Sequence, residues 1–138
     1  MKTIIFTLPI YTFQIDFNGH VNNAIYIHWM EIGRTKLLDE IGMAITETDE
    51  QGFVPVLAET NIKYKHPLYL KDQVRIDLWL SKLGNASARI EFRFYNSDGV
   101  LAASSSQLGL FIDKATLKPH RLSKEHRALF AAYLSWLK

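Results

Sequence analysis

The spacing of apolar positions changes near residue 23, and this change divides the N-terminal third of the chain into two elements. From about Thr3 to Phe17 apolar and polar residues alternate, which predicts a β-strand that bends near Pro9. From Asn23 to about Ile41 the apolar residues recur at helical spacing. The first half of this segment is apolar on almost every face, so we expect a long helix that is buried on most sides.

Both ends of the predicted helix carry residues that commonly delimit helices. Asn22 or Asn23 is suited to the N-cap, because an asparagine side chain accepts a hydrogen bond from a free N–H of the first turn. Gly42 follows the last apolar residue, where a glycine in the left-handed conformation often ends a helix. The sequence therefore predicts one long helix between these positions.

The rest of the chain predicts four strands and a short terminal helix. Alternating apolar residues indicate the strands Val54–Tyr64, Val74–Leu80, Ile90–Phe94 and Val100–Ile112. Gly84-Asn85 and Asp98-Gly99 are suited to the hairpin turns that join the last three strands. Ser123 is placed to cap a C-terminal helix. That helix presents one apolar stripe, formed by Leu129, Phe130, Tyr133, Leu134 and Leu137.

A helix that is apolar on most faces requires other elements to cover it. The economical arrangement of the predicted elements is an α+β fold in which a strongly curved antiparallel sheet wraps the long helix. A single small sheet leaves edge strands and apolar surface exposed, and pairing of edge strands between two copies covers both. We therefore expect a single domain over residues 1–138 that forms at least a dimer.

Composition excludes several classes of function. The chain has 138 residues, 48% of them hydrophobic, which is enough for one domain with a core. A net charge of +2 without a run of Lys and Arg argues against binding nucleic acid. The absence of cysteine excludes disulfides and a cysteine nucleophile. Because no apolar stretch could span a membrane and no signal-peptide pattern is present, we expect a soluble, cytoplasmic protein.

Polar residues cluster where the first predicted strand gives way to the long helix. Asp16, Asn18 and His20 occupy alternate positions on the approach to the helix N-terminus. Free backbone N–H groups and a positive dipole at that end favour a developing negative charge. Acyl transfer and hydrolysis need a base or nucleophile beside such an oxyanion site. The segment from Asp16 to Asn23 is therefore the candidate active site.

This segment resembles a motif of the hotdog-fold thioesterases, in particular the 4-hydroxybenzoyl-CoA thioesterase-like branch and the acyl-ACP thioesterases. The resemblance covers nearly the whole chain. It rests on the Asp-x-Asn-x-His-Val-Asn-Asn-x-x-Tyr motif of residues 16–26, the Trp-x-Glu-x-x-Arg of residues 29–34, residues 62–67 with Asp72, and the last strand of residues 100–113 with Pro119.

The resemblance implies a hotdog fold, hydrolysis of an acyl thioester, and an active site at the interface of a homodimer, which often assembles into a tetramer. In such enzymes the aspartate at the place of Asp16 attacks the thioester or activates water, and Asn18 and His20 complete the catalytic group. A backbone N–H near Asn23 binds the carbonyl oxygen. Tyr26 is the last residue of the same motif and is expected to contact the substrate. No metal or organic cofactor is expected.

The carrier of the acyl group is left open between CoA and ACP. Some relatives hold the CoA phosphates with adjacent Arg and Lys residues in a hairpin, where this chain has Gly84-Asn85-Ala86. Other cations of this chain are the candidates for phosphate contacts: Lys63, Lys65, Lys82 and Arg89.

The residues themselves allow two routes for the chemistry. An ionised Asp16 either attacks the carbonyl to form a mixed anhydride or deprotonates water, and both routes stay open at this point. A backbone N–H of Asn22 or Asn23 then holds the oxyanion. We expect Asn18 to position water or the carboxylate, and His20 to donate a proton to the carbonyl or to the leaving thiolate.

Further polar residues and two alternative functions also carry expectations. Glu59 is expected to assist if the polar face of its strand meets a second subunit. His28 and Glu31 are expected to point inward or into an interface, and His66 to lie in a surface loop. The alternative functions are a hotdog-type hydratase or dehydratase of acyl thioesters and a non-catalytic acyl-CoA-binding module. Asp16 and Asn18 also suit a purely structural Asx turn.

Overall fold

The computed structural model describes residues 2–135, which form one five-stranded antiparallel sheet and three α-helices. The strands are β1 (Ile4–Pro9), β2 (Phe53–Tyr64), β3 (Gln73–Leu83), β4 (Ser87–Tyr95) and β5 (Leu101–Asp113). The helices are α1 (Ile25–Ile41), α2 (Ile45–Glu50) and α3 (Lys124–Ala131). The strand order is β1-β3-β4-β5-β2, so β1 and β2 form the two edges.

The long helix α1 packs on one face of this sheet. Its inward-facing side chains, such as Trp29 and Met30, are buried against alternate residues of the central strands, among them Leu78 and Phe92. The register of the sheet shifts within β2, β3 and β5, and such bulges bend strands and increase their twist. The predicted α+β architecture, a curved antiparallel sheet around one long helix, is confirmed.

The opposite side of α1 is open within a single chain. Ile27 and Ile32 are each 39% exposed, and His28 and Glu31 are exposed as well. The expectation that the helix is buried on most sides is therefore wrong for one chain, and of the two placements expected for His28 and Glu31 the inward one is wrong, while an interface placement stays a prediction. The reason is geometric, because a single sheet covers only one side of a helix.

The first strand is much shorter than the predicted segment from Thr3 to Phe17. Strand β1 pairs with β3 only as far as Pro9, whose ring nitrogen carries no hydrogen to continue the ladder. Beyond it, the side-chain oxygen of Gln14 accepts the N–H of Tyr11 at 2.8 Å and closes a short 3-10 turn.

The remaining predicted elements are largely confirmed. Gly42 ends α1 with φ of 80°, and the Gly84 N–H donates to the Ser87 carbonyl at 2.8 Å in the first hairpin. Ser123 caps α3 by accepting the N–H of His126 at 3.1 Å. This helix ends at Ala131, so Tyr133 and Leu134 of the predicted stripe follow it, and Leu137 lies outside the described residues. Helix α2, a six-residue segment without apolar periodicity, was not predicted.

Candidate active site

A tight loop between β1 and α1 fixes the carboxylate of Asp16. Its Oδ1 accepts the backbone N–H groups of Asn18 at 2.9 Å and of His20 at 3.3 Å. Gly19 has φ of 81° in this loop, a conformation that a residue with a Cβ rarely adopts. Within the described chain, Oδ2 of Asp16 makes no hydrogen bond. The Asx turn and the catalytic interpretation are thus compatible, because one oxygen builds the loop and the other is left for a substrate or water.

His20 and Asn18 lie on the same side of this loop as Asp16, and all three line one pocket. The half-buried His20 ring stands edge-on to the ring of Tyr69, with centroids 5.3 Å apart. The backbone of His20 also pairs with Tyr69 in a single β-bridge. These contacts orient the imidazole, while the exposed Asn18 side chain has more freedom. The predicted alternate spacing therefore does bring the three side chains together.

The backbone at the start of α1 offers one free donor to the pocket. The N–H of Asn22 donates to the Gln14 carbonyl at 2.8 Å, so this group is not available to an oxyanion. The Asn22 side chain accepts the N–H of Ala24 at 2.9 Å, but Ala24 is the N-cap of α1 and no side chain caps the helix, so the predicted asparagine N-cap is wrong. Among residues 2–135, no acceptor faces the N–H of Asn23. Of the two backbone N–H groups predicted to bind an oxyanion, those of Asn22 and Asn23, only that of Asn23 is therefore available.

Two tyrosines support this helix start. The Tyr64 hydroxyl, at the end of β2, donates to the Asn23 carbonyl at 3.0 Å. Tyr26 is buried, and its ring contacts Trp29, Tyr64 and Phe94 edge-on. Burial, followed by the neighbouring Tyr64, raises the pKa of Tyr26 far above its usual value, and burial also raises the pKa of Tyr64. Both phenols therefore stay neutral near physiological pH and act as donors or packing groups.

The pocket measures about 380 Å³ and also contains residues that the sequence did not indicate as site residues. Besides the predicted Lys65, it is lined by Tyr64, Pro67 and His66, and His66 is exposed in the loop after β2, as expected. These residues follow directly on β2, whose end lies against the start of α1. The signal for them was present in the sequence, because Pro67 stops a strand and loops at strand ends commonly carry site residues.

The other predicted contacts are not gathered into this pocket within one chain. Lys63 lines a separate polar cavity of about 250 Å³ on the outer face of the sheet. Glu59 is exposed and forms an ion pair with Arg89 at 3.5 Å, and Arg89 also donates to the Ser106 hydroxyl. Lys82 is the cross-strand neighbour of Arg89. Of the four cations predicted to contact the carrier, only Lys65 lies at the pocket.

This arrangement can support attack on a carbonyl group. A carboxylate oxygen, an imidazole and a free backbone N–H face one space, which is the set of groups that hydrolysis through an oxyanion requires. In the part of the chain that the structure describes, no group of three His, Asp or Glu side chains is placed to hold a metal ion. None of the helices within residues 2–135 is both long and apolar enough to cross a bilayer.

Comparison with known proteins assigns the class. Residues 12–130 match the family model of the thioesterase-like superfamily, and this chain belongs to that family. The match confirms the resemblance seen in the motif, and with it the function: the protein is an acyl thioester hydrolase.

Two curated relatives illustrate the range of the family. A putative acyl-CoA thioesterase of Bacillus subtilis, YneP, is 27% identical over 120 residues, which cover 87% of each chain. The chloroplastic acyl-acyl carrier protein thioesterase ATL3 of Arabidopsis thaliana is 26% identical over 132 residues, covering 92% of this chain and 67% of the relative.

Solved structures confirm the hotdog fold. A DHNA-CoA thioesterase from Staphylococcus aureus superposes with a TM-score of 0.85 at 22% identity, covering 96% of this chain and 89% of that one. Another S. aureus protein, solved in complex with CoA, gives a TM-score of 0.88 at 18% identity, covering 96% and 84%. At these identities the likeness concerns the fold.

Proposed function

We propose that Asp16 is the catalytic carboxylate of this thioester hydrolase. We also propose that the substrate is an acyl-CoA, in which a phosphopantetheine thiol carries the acyl group. The observation that carries the proposal is the carboxylate itself. Two backbone N–H groups hold Oδ1, Oδ2 makes no hydrogen bond among residues 2–135, and Asn23 lines the same pocket as Asp16. The Bacillus relative named as a putative acyl-CoA thioesterase, which this chain matches over most of both lengths, supports the choice of carrier.

Both chemical routes use this free oxygen. Oδ2 of Asp16 attacks the thioester carbonyl, which expels the thiolate and leaves a mixed anhydride for water to open, or it removes a proton from the water that attacks. In either route the N–H of Asn23 receives the developing oxyanion, and such a donor is worth about 3–4 kcal/mol. His20 protonates the departing thiolate. Single turnover in ¹⁸O-labelled water, followed by mass spectrometry of the protein, tests the first route, because label in the Asp16 carboxylate arises only when water opens the anhydride at the aspartyl carbonyl.

We further propose that the site is completed by a second copy of the chain. Strand β2 is a sheet edge, and from Leu57 to Tyr64 all its residues except Ile62 are exposed. Such an edge is a template for antiparallel pairing. The loop beside Asp16 also exposes large aromatic side chains, with Phe13 at 78% and Phe17 at 97%. Apolar surface of this kind next to an active site supports coverage by another protein surface.

Symmetric pairing of β2 brings two different pockets together. An apolar pocket of about 150 Å³ lies between the second half of α1 and the start of β2. If pairing is centred on the exposed part of β2, Pro55–Leu57 of one copy lie opposite Tyr64–His66 of the other. The apolar pocket of one copy then adjoins the Asp16 pocket of the second. The acyl group would enter the first pocket while its thioester lies in the second.

Lys65 is the proposed contact for the carrier phosphates, because it lines the pocket next to the candidate catalytic groups. Lys63, Lys82 and Arg89 lie on or near the outer face and are reached only by the distal part of a long carrier. The Arabidopsis relatives named as acyl-acyl carrier protein thioesterases support ACP as a second candidate. Assays of one acyl group on CoA and on ACP distinguish the two carriers.

Replacing Asp16 tests the proposal directly. We expect Asp16→Asn to lower kcat/KM for acyl-CoA hydrolysis by about 10²- to 10⁴-fold, because the amide can neither attack nor accept a proton. Release of free thiol from a panel of acyl-CoAs gives the rates.

The matched control is Asp39→Asn, which alters an exposed aspartate on α1 and should leave the rates unchanged. Circular dichroism should show that both variants are folded. An Asp16→Asn enzyme as fast as the parent would refute the assignment, and enoyl-CoA hydration without thiol release would identify a hydratase instead.

A further inference from the structure

The apolar pocket of about 150 Å³ contains a charged side chain that the proposed chemistry does not use. Its walls are mostly aliphatic and aromatic, with Leu38, Ile90 and Phe111 among them. Arg34, from the second half of α1, also lines it. A guanidinium in such surroundings is unfavourable unless its donors find acceptors. Its presence therefore calls for an explanation in terms of what the pocket binds.

Arg34 is held in place by a short chain of hydrogen bonds. Its Nη1 donates to Oε1 of Gln107 at 2.7 Å, and Nε2 of the same glutamine donates to the Thr60 hydroxyl at 3.2 Å. Gln107 is fully buried, so its hydrogen bond fixes the orientation of the Arg34 guanidinium. Burial lowers the pKa of Arg34, and the nearby Glu31 opposes that effect.

The remaining donors of Arg34 are available to a ligand. Within residues 2–135 its side chain makes this one hydrogen bond, and no carboxylate lies within ion-pair distance. Glu31, one turn earlier on the same helix, lines the same pocket. An anchored donor and a neighbouring acceptor thus face one small apolar space. A hydroxyl group is the ligand chemistry that satisfies both, because it accepts from a guanidinium and donates to a carboxylate.

We propose that Arg34 is a specificity-determining residue that selects acyl groups ending in a hydroxyl oxygen over plain hydrocarbon chains. The inference rests on the proposed function, and on the paired arrangement in which the pocket serves the Asp16 of the other copy. Within one chain the eleven residue-to-residue steps from Asn23 to Arg34 span about 16 Å at helical rise, too far for a short acyl group. Across the β2 edge the two pockets are neighbours.

The size and charge of the pocket narrow the acyl group further. A cavity of about 150 Å³ accommodates a group on the scale of benzene, so about six carbons fit. The Glu31 carboxylate disfavours a terminal carboxylate, although Arg34 alone would attract one. A neutral hydroxyl at the end of a six-carbon chain meets both conditions.

Three CoA thioesters that differ only at the far end test this inference: hexanoyl-CoA, 6-hydroxyhexanoyl-CoA and adipoyl-CoA. We expect the parent enzyme to favour the hydroxylated chain over hexanoyl by at least about tenfold in kcat/KM, the effect of one hydrogen bond to a charged group. Adipoyl-CoA should be no better than hexanoyl-CoA. A parent enzyme that hydrolyses hexanoyl-CoA as well as the hydroxylated chain would overturn the inference.

The variant Arg34→Met keeps the length of the side chain and removes its donors. It should abolish the preference, so that hexanoyl-CoA and 6-hydroxyhexanoyl-CoA are hydrolysed with equal kcat/KM. Arg34→Lys, which keeps a charge but loses the planar fork, should retain part of the preference. Arg121→Met, at an exposed arginine, is the matched control and should keep all of it.

The outcomes separate this inference from the proposed function. If Arg34→Met keeps the full preference, the role of Arg34 is refuted while Asp16-dependent hydrolysis stands. If the parent releases no thiol from any of the three thioesters, the proposed function fails first. If Arg34→Met does not fold, the parent's own preference and that of Arg34→Lys decide the question.

Discussion

At the scale of single residues, the loop that carries Asp16 separates two tasks between two oxygens of one side chain. Oδ1 closes the loop through the N–H groups of Asn18 and His20, and Oδ2, which makes no hydrogen bond among residues 2–135, is the oxygen proposed to act on the thioester. The backbone beside it divides its donors in a similar way. The N–H of Asn22 serves the fold and that of Asn23 is free. In both pairs one polar group makes a hydrogen bond within the fold, and the neighbouring group makes none among the described residues.

Tyr64 provides a test of how the oxyanion donor is positioned. Its hydroxyl holds the Asn23 carbonyl at 3.0 Å, so Tyr64→Phe should loosen this residue without changing the packing of the ring on Tyr26. We expect kcat to fall by about fivefold, equivalent to about 1 kcal/mol, with KM nearly unchanged. Steady-state thiol release provides both constants. Tyr95→Phe is the control, and an equal response of the two variants would contradict a positioning role.

The sequence predicted the local part of this site and missed the part contributed from elsewhere. Asp16, Asn18 and His20 lie within five residues, so their proximity follows from the chain itself. Tyr64 is the last residue of β2 and His66 lies in the loop after it, both more than forty residues further along the chain. Their place beside the helix start depends on how β2 lies against α1, which no local pattern encodes. The occupied N–H of Asn22 was missed for the same reason, since its acceptor depends on the 3-10 turn.

At the scale of elements, α1 approaches the sheet so closely that only glycine fits at the crossing. A Cβ at Gly33 would lie 2.8 Å from Leu78 Cδ2 and 3.0 Å from Phe92 Cε1, and both side chains are almost completely buried. This contact sets the distance between helix and sheet. The helix N-terminus and its free N–H are therefore positioned by packing in the middle of the helix.

The variant Gly33→Ala tests this packing. Overpacking of about 1–3 kcal/mol should exceed the gain of about 1 kcal/mol in helix propensity, so we expect net destabilisation. Thr35→Ala, at an exposed position of the same helix, should change stability by no more than about 0.5 kcal/mol. Urea unfolding followed by circular dichroism measures both. If Gly33→Ala matched the parent, Leu78 and Phe92 would have to yield more readily than buried side chains usually do.

Prediction of the elements succeeded where the apolar period was regular and failed where local hydrogen bonds ended an element. The long helix and the last four strands follow from periodicity, and their bounds differ from the predictions by a few residues. The strand before Asp16 was predicted too long because alternation continues past Pro9, whereas the side chain of Gln14 folds the backbone into a turn. Helix α2 has no apolar stripe, so the sequence contained no periodic signal for it.

At the scale of the whole molecule, each chain has two separate pockets, which the proposed pairing of β2 edges would join as half-sites. The pocket with Asp16 lies at one end of α1, and the apolar pocket lies towards the other end. In the proposed antiparallel pair these half-sites come from different copies. The proposed arrangement predicts that two chains, each inactivated in a different pocket, restore activity when they form a mixed dimer.

Complementation between two inactive variants tests this arrangement. Asp16→Ala removes the carboxylate, and Leu110→Trp fills the apolar pocket, which Leu110 lines. Each variant alone should be nearly inactive on hexanoyl-CoA. After the two are unfolded and refolded together in equal amounts, about half the dimers are mixed, and each mixed dimer holds one intact site. Activity should therefore recover to about one quarter of the parent value.

The control is each variant refolded alone, together with size measurement by light scattering to show that dimers have formed. If catalytic carboxylate and apolar pocket belonged to the same chain, every site in the mixture would carry one of the two lesions. The mixture would then be as inactive as its components. A shared site requires the carboxylate of one copy to meet the pocket of the other. Recovery of activity without dimers would therefore contradict a site shared across the β2 edge, and so would dimers without recovery of activity.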